Sequence, residues 1–321
     1  MNISSRTVAL ESVACGVCGS TNSQPYASGK DFEYDTSSDN FAMVLCLDCT
    51  NVYLNPRPTK SELATIYPPN YYAYNYDTAI HPIARKGKDI LDARKIKGWL
   101  KYISTATPMF LDVGCGNGRY LRMLHKFGVP KENLYGVELD RSEIEQVNAE
   151  GFHGVTGRIE DVVDRLPQGQ FDLIVLLQVL EHVEDPASIV RHLTGLLKVG
   201  GVLIVETPNT ESIDAQIFKK RYWGGYHFPR HWNLFNKATL ARLAQSNGLQ
   251  VRACNFLPAH SFWIFSFHHA IAENLNNKWL EKMFDPCTNV PLLAVFTGFD
   301  IVRAALGSKT SNIQFIAAKV E

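Results

Sequence analysis

From residue 109 onward, short apolar runs alternate with stretches that repeat apolar residues every three or four positions. Runs of about four to eight apolar residues predict strands, and the helical repeat between them predicts helices. Gly128, Gly151 and Gly200 stand where the C-caps of such helices are expected. The pattern predicts an α/β protein with a helix at 237–247 and strands at 109–113, 133–138, 153–156, 171–177, 201–206, 250–256 and 312–319.

Two further segments also have a helical pattern. Residues 83–103 place Ile96, Trp99 and Leu100 on one apolar stripe, with basic side chains elsewhere. This predicts a helix packed on the sheet, with membrane-surface binding as the alternative. Residues 257–311 are aromatic and apolar and separate the last two strands. Connections of this length usually have structure or function of their own, so we expect helical core, a lid, a membrane contact or a dimer surface.

The composition is that of a globular protein without a bias towards polyanions. The chain has 321 residues, of which 45% are hydrophobic, and its 32 basic residues balance 32 acidic ones. No secretory signal pattern and no apolar stretch long enough to cross a bilayer is seen. We therefore expect a cytoplasmic protein, divided into 1–57, 58–106 and a core at 107–321.

A glycine-rich motif follows the first predicted strand. The run 111–121 contains Gly114, Gly116 and Gly118 directly before a helical stretch, with Asp112 in front. Glycines at alternate positions let a ligand approach the backbone, and the first turn of the helix offers unpaired N–H groups. The motif predicts a ligand whose adenosine and amino-acid parts pass close to the backbone.

Three more motifs follow in order. Glu138 ends the second predicted strand, where a carboxylate can accept both hydrogen bonds of a ribose diol. Segments 157–161, 171–178 and 179–186 come next. Together the motifs resemble class I S-adenosylmethionine-dependent methyltransferases, the group that includes ubiquinone-biosynthesis O-methyltransferases, over about residues 80–257 plus the last strand. A generic nucleotide-binding Rossmann domain is the alternative.

The resemblance implies a fold, a cofactor and a set of contacts. The fold is a Rossmann-like sheet of seven strands, six parallel and one antiparallel, closed by a hairpin of the last two strands. The cofactor is S-adenosylmethionine. The residues expected to bind it are Asp112, Gly114, Cys115, Gly116, Gly118, Glu138, Leu139, Ile159, Glu160 and Gln178.

Four of the seven cysteines form two C-x2-C pairs: Cys15, Cys18, Cys46 and Cys49. Two such knuckles can place four thiolates around one tetrahedral Zn²⁺. Gly19 follows the first pair, whereas Thr50 follows the second, where glycine is usual. Disulfides are disfavoured in a reducing cytoplasm. We predict a structural zinc ribbon at 1–57 whose core is separate from that of the sheet.

Zinc ribbons often bind nucleic acid, but the charge of this one argues against it. Residues 1–57 carry three basic and six acidic side chains, a poor match to a phosphate backbone. Base methyltransferases also often carry an Asn/Asp-Pro-Pro-aromatic motif after the fourth strand, where this chain has the sequence Gln-Val-Leu-Glu-His at 178–182. Both observations argue against RNA, so an RNA base methyltransferase is kept only as the first alternative function. A non-catalytic cofactor-binding scaffold is the second alternative.

A tyrosine-rich joint opens the segment 58–106. Its five tyrosines are Tyr67, Tyr71, Tyr72, Tyr74 and Tyr76. Rings with hydroxyls suit a cover over the cofactor or a wall for a sugar, and a packed strap between domains is the alternative. Ribbon and joint together resemble methyltransferases of surface-glycan and secondary-metabolite pathways.

Candidate catalytic residues follow the fourth and fifth strands, since open α/β sheets bind ligands at the carboxyl ends of their strands. Glu181 and His182 follow the fourth, and a segment at 210–236 after the fifth contains His227 and His231. Histidine is suited to act as general base on a hydroxyl near neutral pH. We predict a mobile acceptor loop at 210–236 and a base among the three histidines, with a slight preference for His231. A purely packing role is the alternative.

The same segments indicate the acceptor class. Aromatic rings stack on sugar faces or apolar chains, and Arg221 or Arg230 could hold a phosphate through two hydrogen bonds. We expect a small molecule: a sugar hydroxyl on a nucleotide- or lipid-linked glycan precursor, or a metabolite phenol or acid. The sequence determines neither the methylated atom nor the oligomeric state.

Overall fold

The computed structural model describes residues 6–69, 71, 82–258, 260–275, 277–284 and 289–320. Tyr72, Tyr74 and Tyr76, named above, lie outside these residues. The strands are β1 (Leu10–Glu11), β2 (Ser23–Gly29), β3 (Phe41–Cys46), β4 (Val52–Leu54), β5 (Arg57–Pro58), β6 (Phe110–Val113), β7 (Leu134–Glu138), β8 (His153–Thr156), β9 (Phe171–Leu177), β10 (Leu197–Pro208), β11 (Asn233–Leu234), β12 (Leu249–Leu257) and β13 (Asn312–Lys319). The helices are α1 (Leu63–Ile66), α2 (Pro82–Trp99), α3 (Arg119–Lys126), α4 (Arg141–Ala149), α5 (Ile159–Val162), α6 (Pro186–Leu196), α7 (Ile213–Ile217), α8 (Lys237–Gln245), α9 (His260–Asn274), α10 (Lys278–Met283) and α11 (Val290–Ala305).

The main sheet has the predicted architecture. Its seven strands lie in the order β12-β13-β10-β9-β6-β7-β8. The pairs from β10 to β8 are parallel, and β13 runs antiparallel to both of its neighbours. Six strands therefore share one direction and one opposes them, which confirms the Rossmann-like methyltransferase sheet. All seven predicted strands are present, and β9, in the middle of the parallel part, has the nearly continuous apolar run that buried parallel strands produce.

Two apolar clusters cover the two faces of this sheet. Consecutive residues of β9 alternate between them, with Ile174 in one cluster and Val175 in the other, as side chains on a strand must. Ile96 and Trp99 of α2 are fully buried in the second cluster. The segment 83–103 thus packs its first helix on the sheet, as predicted.

The ribbon does not have the separate core that the sequence predicted. A second sheet, in the order β11-β4-β3-β2, takes its edge strand from residues 233–234 of the later part of the chain. Cys15, Cys46 and Cys49 lie in the same apolar cluster as Leu176. The prediction failed because a ribbon this small buries its apolar face against its neighbour, and a two-residue strand leaves no pattern in the sequence.

The segment 210–236 is also different from the mobile loop that we expected. Every residue from 223 to 236 is buried. This segment lies between the ribbon and helix α9 of the insertion. Its strand β11 pairs with β4 of the ribbon, and its Gly224 N donates a hydrogen bond to Ser266 of α9 at 2.8 Å. Glycines and aromatic residues indicate close packing here rather than mobility.

Candidate functional site

The glycine loop turns sharply between β6 and α3. Gly114, Gly116 and Gly118 have left-handed backbones with φ of 78°, 49° and 79°, which side chains disfavour. A Cβ on Gly114 would lie 2.5 Å from Val179 Cγ2, whereas a Cβ on Gly116 would meet nothing within 4 Å. The loop therefore combines a tight backbone with an open face on which a ligand can lie.

Glu138, at the carboxyl end of β7, is held by backbone N–H groups. Gly116 N donates to Oε2 at 3.0 Å, and Leu139 N donates to Oε1 at 2.6 Å. Asp140 N also donates to Oε1, at 3.4 Å. A carboxylate offers about four acceptor positions, so Oε2 retains capacity for a further donor. The side chain is oriented, with its acceptors in place, and fits the predicted contact with a ribose diol.

Asp112 is a buried carboxyl beneath the loop. Burial, with the nearby charge of Glu138, raises its pKa to about 7, and Lys95 opposes this rise. Its Oδ2 is buried and has no hydrogen-bond partner among the described residues. A cationic group in the ligand would stabilise the ionised form, so the ammonium of an amino-acid moiety fits this position. Lys95, which the sequence did not single out, forms a 2.7 Å ion pair with Glu206.

Four further predicted contacts follow the parallel strands β7, β8 and β9. Leu139 follows β7 and is 65% exposed, so its side chain is available to a flat ligand. Ile159 follows β8 and is buried at the start of α5, and Glu160 beside it forms an ion pair with the preceding arginine. Gln178 leaves β9 with a φ of 59°. All four therefore follow carboxyl ends of parallel strands, at the edge of the sheet at which the glycine loop lies.

Cys115 and Gly118 face away from that edge. The thiol of Cys115 packs on β7, so that a Cβ on Gly136 would lie 2.6 Å from its Sγ. Burial raises the pKa of this thiol. A Cβ on Gly118 would lie 2.8 Å from Val147. Contact of either residue with a cofactor would therefore go through the backbone.

The four paired cysteines converge on one point. Sγ of Cys15 lies 3.5 Å from that of Cys49, and the same distance separates Cys18 from Cys46. Zn–S bonds of about 2.3 Å place tetrahedral sulfurs about 3.8 Å apart, so the donor set fits Zn²⁺. Burial raises the pKa of Cys15 to about 11, and a bound cation would favour the thiolate.

Both knuckles have the turn that such a site requires. Gly19 N donates to Cys15 O at 2.8 Å, and Thr50 N donates to Cys46 O at 3.0 Å. The residues Gly19 and Thr50 have φ of 74° and 64°. Thr50 thus adopts the glycine-like conformation, and its hydroxyl accepts a hydrogen bond from Asn236 at 3.3 Å. The missing glycine does not change the geometry.

The three base candidates form a histidine cluster: His182, His227 and His231. The ring centroids of His182 and His231 are 4.6 Å apart, those of His227 and His231 5.0 Å, and those of His182 and His227 6.3 Å. Tyr67 bonds to His182 Nδ1 at 2.9 Å, and Tyr71 lies 5.9 Å from His227 between ring centroids. His182 follows β9, and His227 and His231 follow β10, its parallel neighbour, so the cluster draws on segments that leave the carboxyl ends of both strands.

The three imidazoles have different electrostatic surroundings. Burial and the neighbouring histidines lower the pKa of His182 to about 3 and lower that of His231 well below its usual range. His231 Nδ1 lies 2.8 Å from Gly225 O. His227 Nδ1 instead lies 2.7 Å from Glu33 Oε1, a carboxylate of the ribbon. A carboxylate partner stabilises the imidazolium that forms when a histidine accepts a proton.

Glu181 is the buried acid of this region. Burial raises its pKa to about 8, and Thr207 donates to its Oε2 at 3.2 Å. Its Oε1 has no hydrogen-bond partner among the described residues. One ligand atom from each of Glu181, His182 and His231 lies within 4.8 Å of the others. Such a set can share protons or approach a divalent cation.

The two arginines predicted to hold a phosphate are already engaged. Arg230 is fully buried and donates to both oxygens of Asp31, at 3.0 and 2.8 Å. Arg221 donates to both oxygens of Glu273 at 2.6 Å. The phosphate prediction is therefore wrong for both side chains as they stand, because each planar group already binds a carboxylate in the two-bond geometry that a phosphate would use.

The described part of the insertion 257–311 forms the helices α9, α10 and α11, and α9 packs on the ribbon and on the segment 210–236. His269 of α9 stacks on Phe32 of the ribbon with ring centroids 4.9 Å apart. The insertion also exposes large apolar side chains, including Trp279, Val295 and Leu306. Across the described residues, no helix has the length and apolar character needed to cross a membrane.

Comparison with known families matches residues 92–253 to a family described as a methyltransferase domain. The match covers about half of the chain. It runs from α2 into β12 and includes the glycine loop, Glu138 and the segment with Glu181 and His182.

Curated relatives include ubiquinone biosynthesis O-methyltransferases. Those of Pseudomonas aeruginosa and Xanthomonas euvesicatoria are 32% and 29% identical over 107 and 169 residues, covering 31% and 47% of this chain. The alignments span 44% and 68% of those proteins, so the chain matches about half the length of the first curated relatives. A solved SAM-dependent methyltransferase from Archaeoglobus fulgidus has a TM-score of 0.47 at 17% identity, over 71% of this chain and 93% of that one.

Proposed function

This chain belongs to the methyltransferase domain family, and we propose that it transfers the methyl group of S-adenosylmethionine to a hydroxyl group of a small molecule. The observation that carries the proposal is the glycine loop with its open face, bordered by the oriented carboxylate of Glu138 and the buried acid Asp112. The bound cofactor would supply a methyl group activated by a sulfonium, and the protein would supply alignment and exclude water.

The chain's own residues divide between the two ends of the cofactor. Glu138 would bind the ribose diol through oxygens that backbone N–H groups already orient. Asp112 would pair with the ammonium of the methionine part. Leu139, exposed beside them, would cover the adenine ring. The remaining predicted contacts, Ile159, Glu160 and Gln178, would complete the rim.

We assign the general base to His227 in place of His231. A base works best when its pKa lies near the operating pH, and burial lowers the pKa of both His182 and His231 far below it. His227 is paired with Glu33. On this proposal His227→Gln lowers turnover by about 10²–10⁴-fold with little change in cofactor affinity, while His231→Gln has the smaller effect.

The acceptor would be a ring-bearing small molecule, either a sugar of a glycan precursor or a metabolite phenol or acid. Relatives named as O-methyltransferases support a hydroxyl acceptor. Tyr34, Tyr67 and Tyr71 pack around the histidine cluster and offer rings for stacking. RNA is disfavoured, because the six acidic side chains of residues 1–57 outnumber the three basic ones.

The test is incubation with methyl-labelled S-adenosylmethionine and a cell extract fractionated into sugars, lipids, other metabolites and RNA. We expect label in a small-molecule or lipid-linked fraction with the wild-type protein, and strongly reduced label with Glu138→Ala. Label only in RNA would overturn the acceptor assignment. Cofactor binding without label in any fraction would favour a non-catalytic scaffold.

A further inference from the structure

We propose that Glu33, contributed by the zinc ribbon, is a positioning residue for His227, so that the ribbon forms part of the acceptor site. This inference rests on the base role proposed above for His227. The Oε1 atom of Glu33 lies 2.7 Å from Nδ1 of His227, although 194 residues separate the two along the chain. Their side chains are only 7% and 6% exposed, so water competes little for this contact.

The contact determines which ring nitrogen carries the proton. An ionised carboxylate only accepts hydrogen bonds, so Nδ1 of His227 must be the donor, and Nε2 is then the nitrogen with the lone pair. Burial alone would raise the pKa of Glu33, but its hydrogen bond with His227 and the charge of Arg230 help to hold that pKa below its usual range. The ionised form of Glu33 is therefore favoured near neutral pH, as the geometry requires.

The ribbon holds Glu33 in place through an aspartate two residues earlier. Oδ1 of Asp31 accepts hydrogen bonds from the backbone N–H groups of Glu33 and Tyr34, at 3.3 and 3.1 Å. The other oxygen of Asp31 accepts from Thr36, and Arg230 binds both oxygens from the opposite side. This loop joins β2 to β3, and β3 ends at the metal-ligand candidate Cys46.

His227 is itself held in an uncommon conformation. Its φ of 40° is left-handed, a conformation that residues other than glycine seldom adopt. The neighbouring base candidate, His231, meets the neutral carbonyl of Gly225 instead of a carboxylate. Of the three clustered histidines, His227 is the one whose Nδ1 contacts a carboxylate, whereas Nδ1 of His182 and of His231 lies at a backbone carbonyl. One acidic side chain of the ribbon, Glu33, therefore contacts a candidate catalytic histidine directly.

The experiment measures the tautomer of His227 directly, without an acceptor. Protein labelled with ¹⁵N-histidine is examined by long-range ¹⁵N–¹H correlation near neutral pH, and His227 is assigned from the spectrum of His227→Gln. We expect wild-type His227 to carry its proton on Nδ1. In Glu33→Gln the tautomer with the proton on Nδ1 should no longer predominate, because an amide can donate a hydrogen bond to Nδ1 as well as accept one from it. Glu33→Asp should retain the Nδ1 tautomer in part, because the negative charge remains.

The matched control is Asp35→Asn. Asp35 lies in the same loop, is exposed, and has a left-handed φ of 48° that Asn tolerates. This variant removes the same charge without touching His227 and should leave the tautomer unchanged. Wild-type His227 with its proton on Nε2, or a Glu33→Gln spectrum identical to wild type, would overturn the inference even if one variant folds poorly.

The activity arm separates this inference from the proposed function. In the label assay, Glu33→Gln should lower turnover by about 10²–10⁴-fold, with the KM for S-adenosylmethionine unchanged and partial recovery in Glu33→Asp. The expected tautomer without methylation of any fraction would refute the function and leave the positioning role standing. Full turnover in Glu33→Gln would refute the positioning role and leave the function intact.

Discussion

The glycine loop and the histidine cluster lie at the same edge of the sheet, yet the chain assembles them differently. The contact that orients Glu138 joins residues 22 positions apart. The contacts that organise the histidine cluster, Glu33 with His227 and Asp31 with Arg230, join residues 194 and 199 positions apart. The first site is contained in one strand-loop-helix unit and the next strand. The second requires the ribbon to pack correctly before its residues meet.

The comparison predicts a difference in how the two sites respond to damage. Changes in the ribbon should disturb the histidine cluster, while changes in the glycine loop should affect cofactor binding and little else. Four variants or conditions test this difference, from the largest expected effect to the smallest.

Loss of the metal site should have the largest effect. We expect one Zn²⁺ per chain by metal analysis, and its loss in Cys46→Ser. Structural zinc contributes about 10 kcal/mol or more to folding, and Cys46 lies in the same apolar cluster as the main sheet. The variant should therefore lower the thermal unfolding midpoint of the whole molecule, and not only that of the ribbon.

A partly buried cysteine outside the two pairs supplies the control. Cys254→Ser should keep the metal, because Cys254 is far in sequence from both knuckles and absent from the convergent set. Two separate transitions in Cys46→Ser, with the later one at the wild-type temperature, would restore the idea of an independent ribbon core. If the protein contains no metal after purification without chelators, the prediction of a zinc site is wrong.

Removal of Arg230 should be the next most damaging change. Arg230→Leu leaves Asp31 buried without its partner, and breaking a buried pair costs about 3–5 kcal/mol. Arg221→Leu is the matched control in the same segment, since Arg221 also binds a carboxylate with two hydrogen bonds but is partly exposed. Its loss should cost about 0–1 kcal/mol. Urea unfolding compares them, and equal losses would contradict the difference in burial.

Much of the fold could be read from the sequence because its signals are local. Most strands of the main sheet are apolar runs, and helices α3 and α4 end just before Gly128 and Gly151, as predicted. Gly200 is not the expected C-cap, because α6 already ends at Leu196. The predicted strand 201–206 begins earlier in the structure, at Leu197, with Gly200 in a left-handed turn inside it. Such a bend interrupts the apolar pattern without ending the strand.

The partners in the histidine cluster could not be read in the same way. Asp31 and Glu33 contribute to an acidic surplus in the ribbon, and in a sequence they resemble any solvated charges. Only the fold shows that one binds a buried arginine and the other a histidine. The same applies to β11, which is two residues long, and to Lys95, whose partner Glu206 lies 111 residues away.

Cofactor affinity tests the local site. Glu138→Ala should weaken binding of S-adenosylhomocysteine by about 2–4 kcal/mol, which is about 30- to 1,000-fold, because two hydrogen bonds to a charged acceptor are lost. Calorimetry measures the change, with exposed Glu132→Ala as the control. Unchanged affinity in Glu138→Ala would contradict the ribose assignment. If weaker binding came with a lower thermal unfolding midpoint, Glu138 would instead act by stabilising the glycine loop.

The smallest effect is a dependence on pH that arises from Asp112. Burial and Glu138 raise its pKa to about 7 in the folded protein, above the value of about 3.9 for a free carboxyl. Folded protein then holds this proton more tightly than unfolded protein, so the contribution of Asp112 to stability falls as the pH rises from about 4 to about 7.

Cofactor affinity should change in the opposite direction, because only the ionised form of Asp112 pairs with an ammonium. Between about pH 5.5 and about pH 7, affinity for S-adenosylhomocysteine should rise by up to about tenfold per pH unit and then level off. Calorimetry at several pH values, with Asp112→Asn to separate this group from Glu138 and Lys95, measures the slope. A flat profile in the wild type, or an equal slope in Asp112→Asn, would show that the buried carboxyl does not face the amino group, and the local site would then rest on Glu138 and the loop alone.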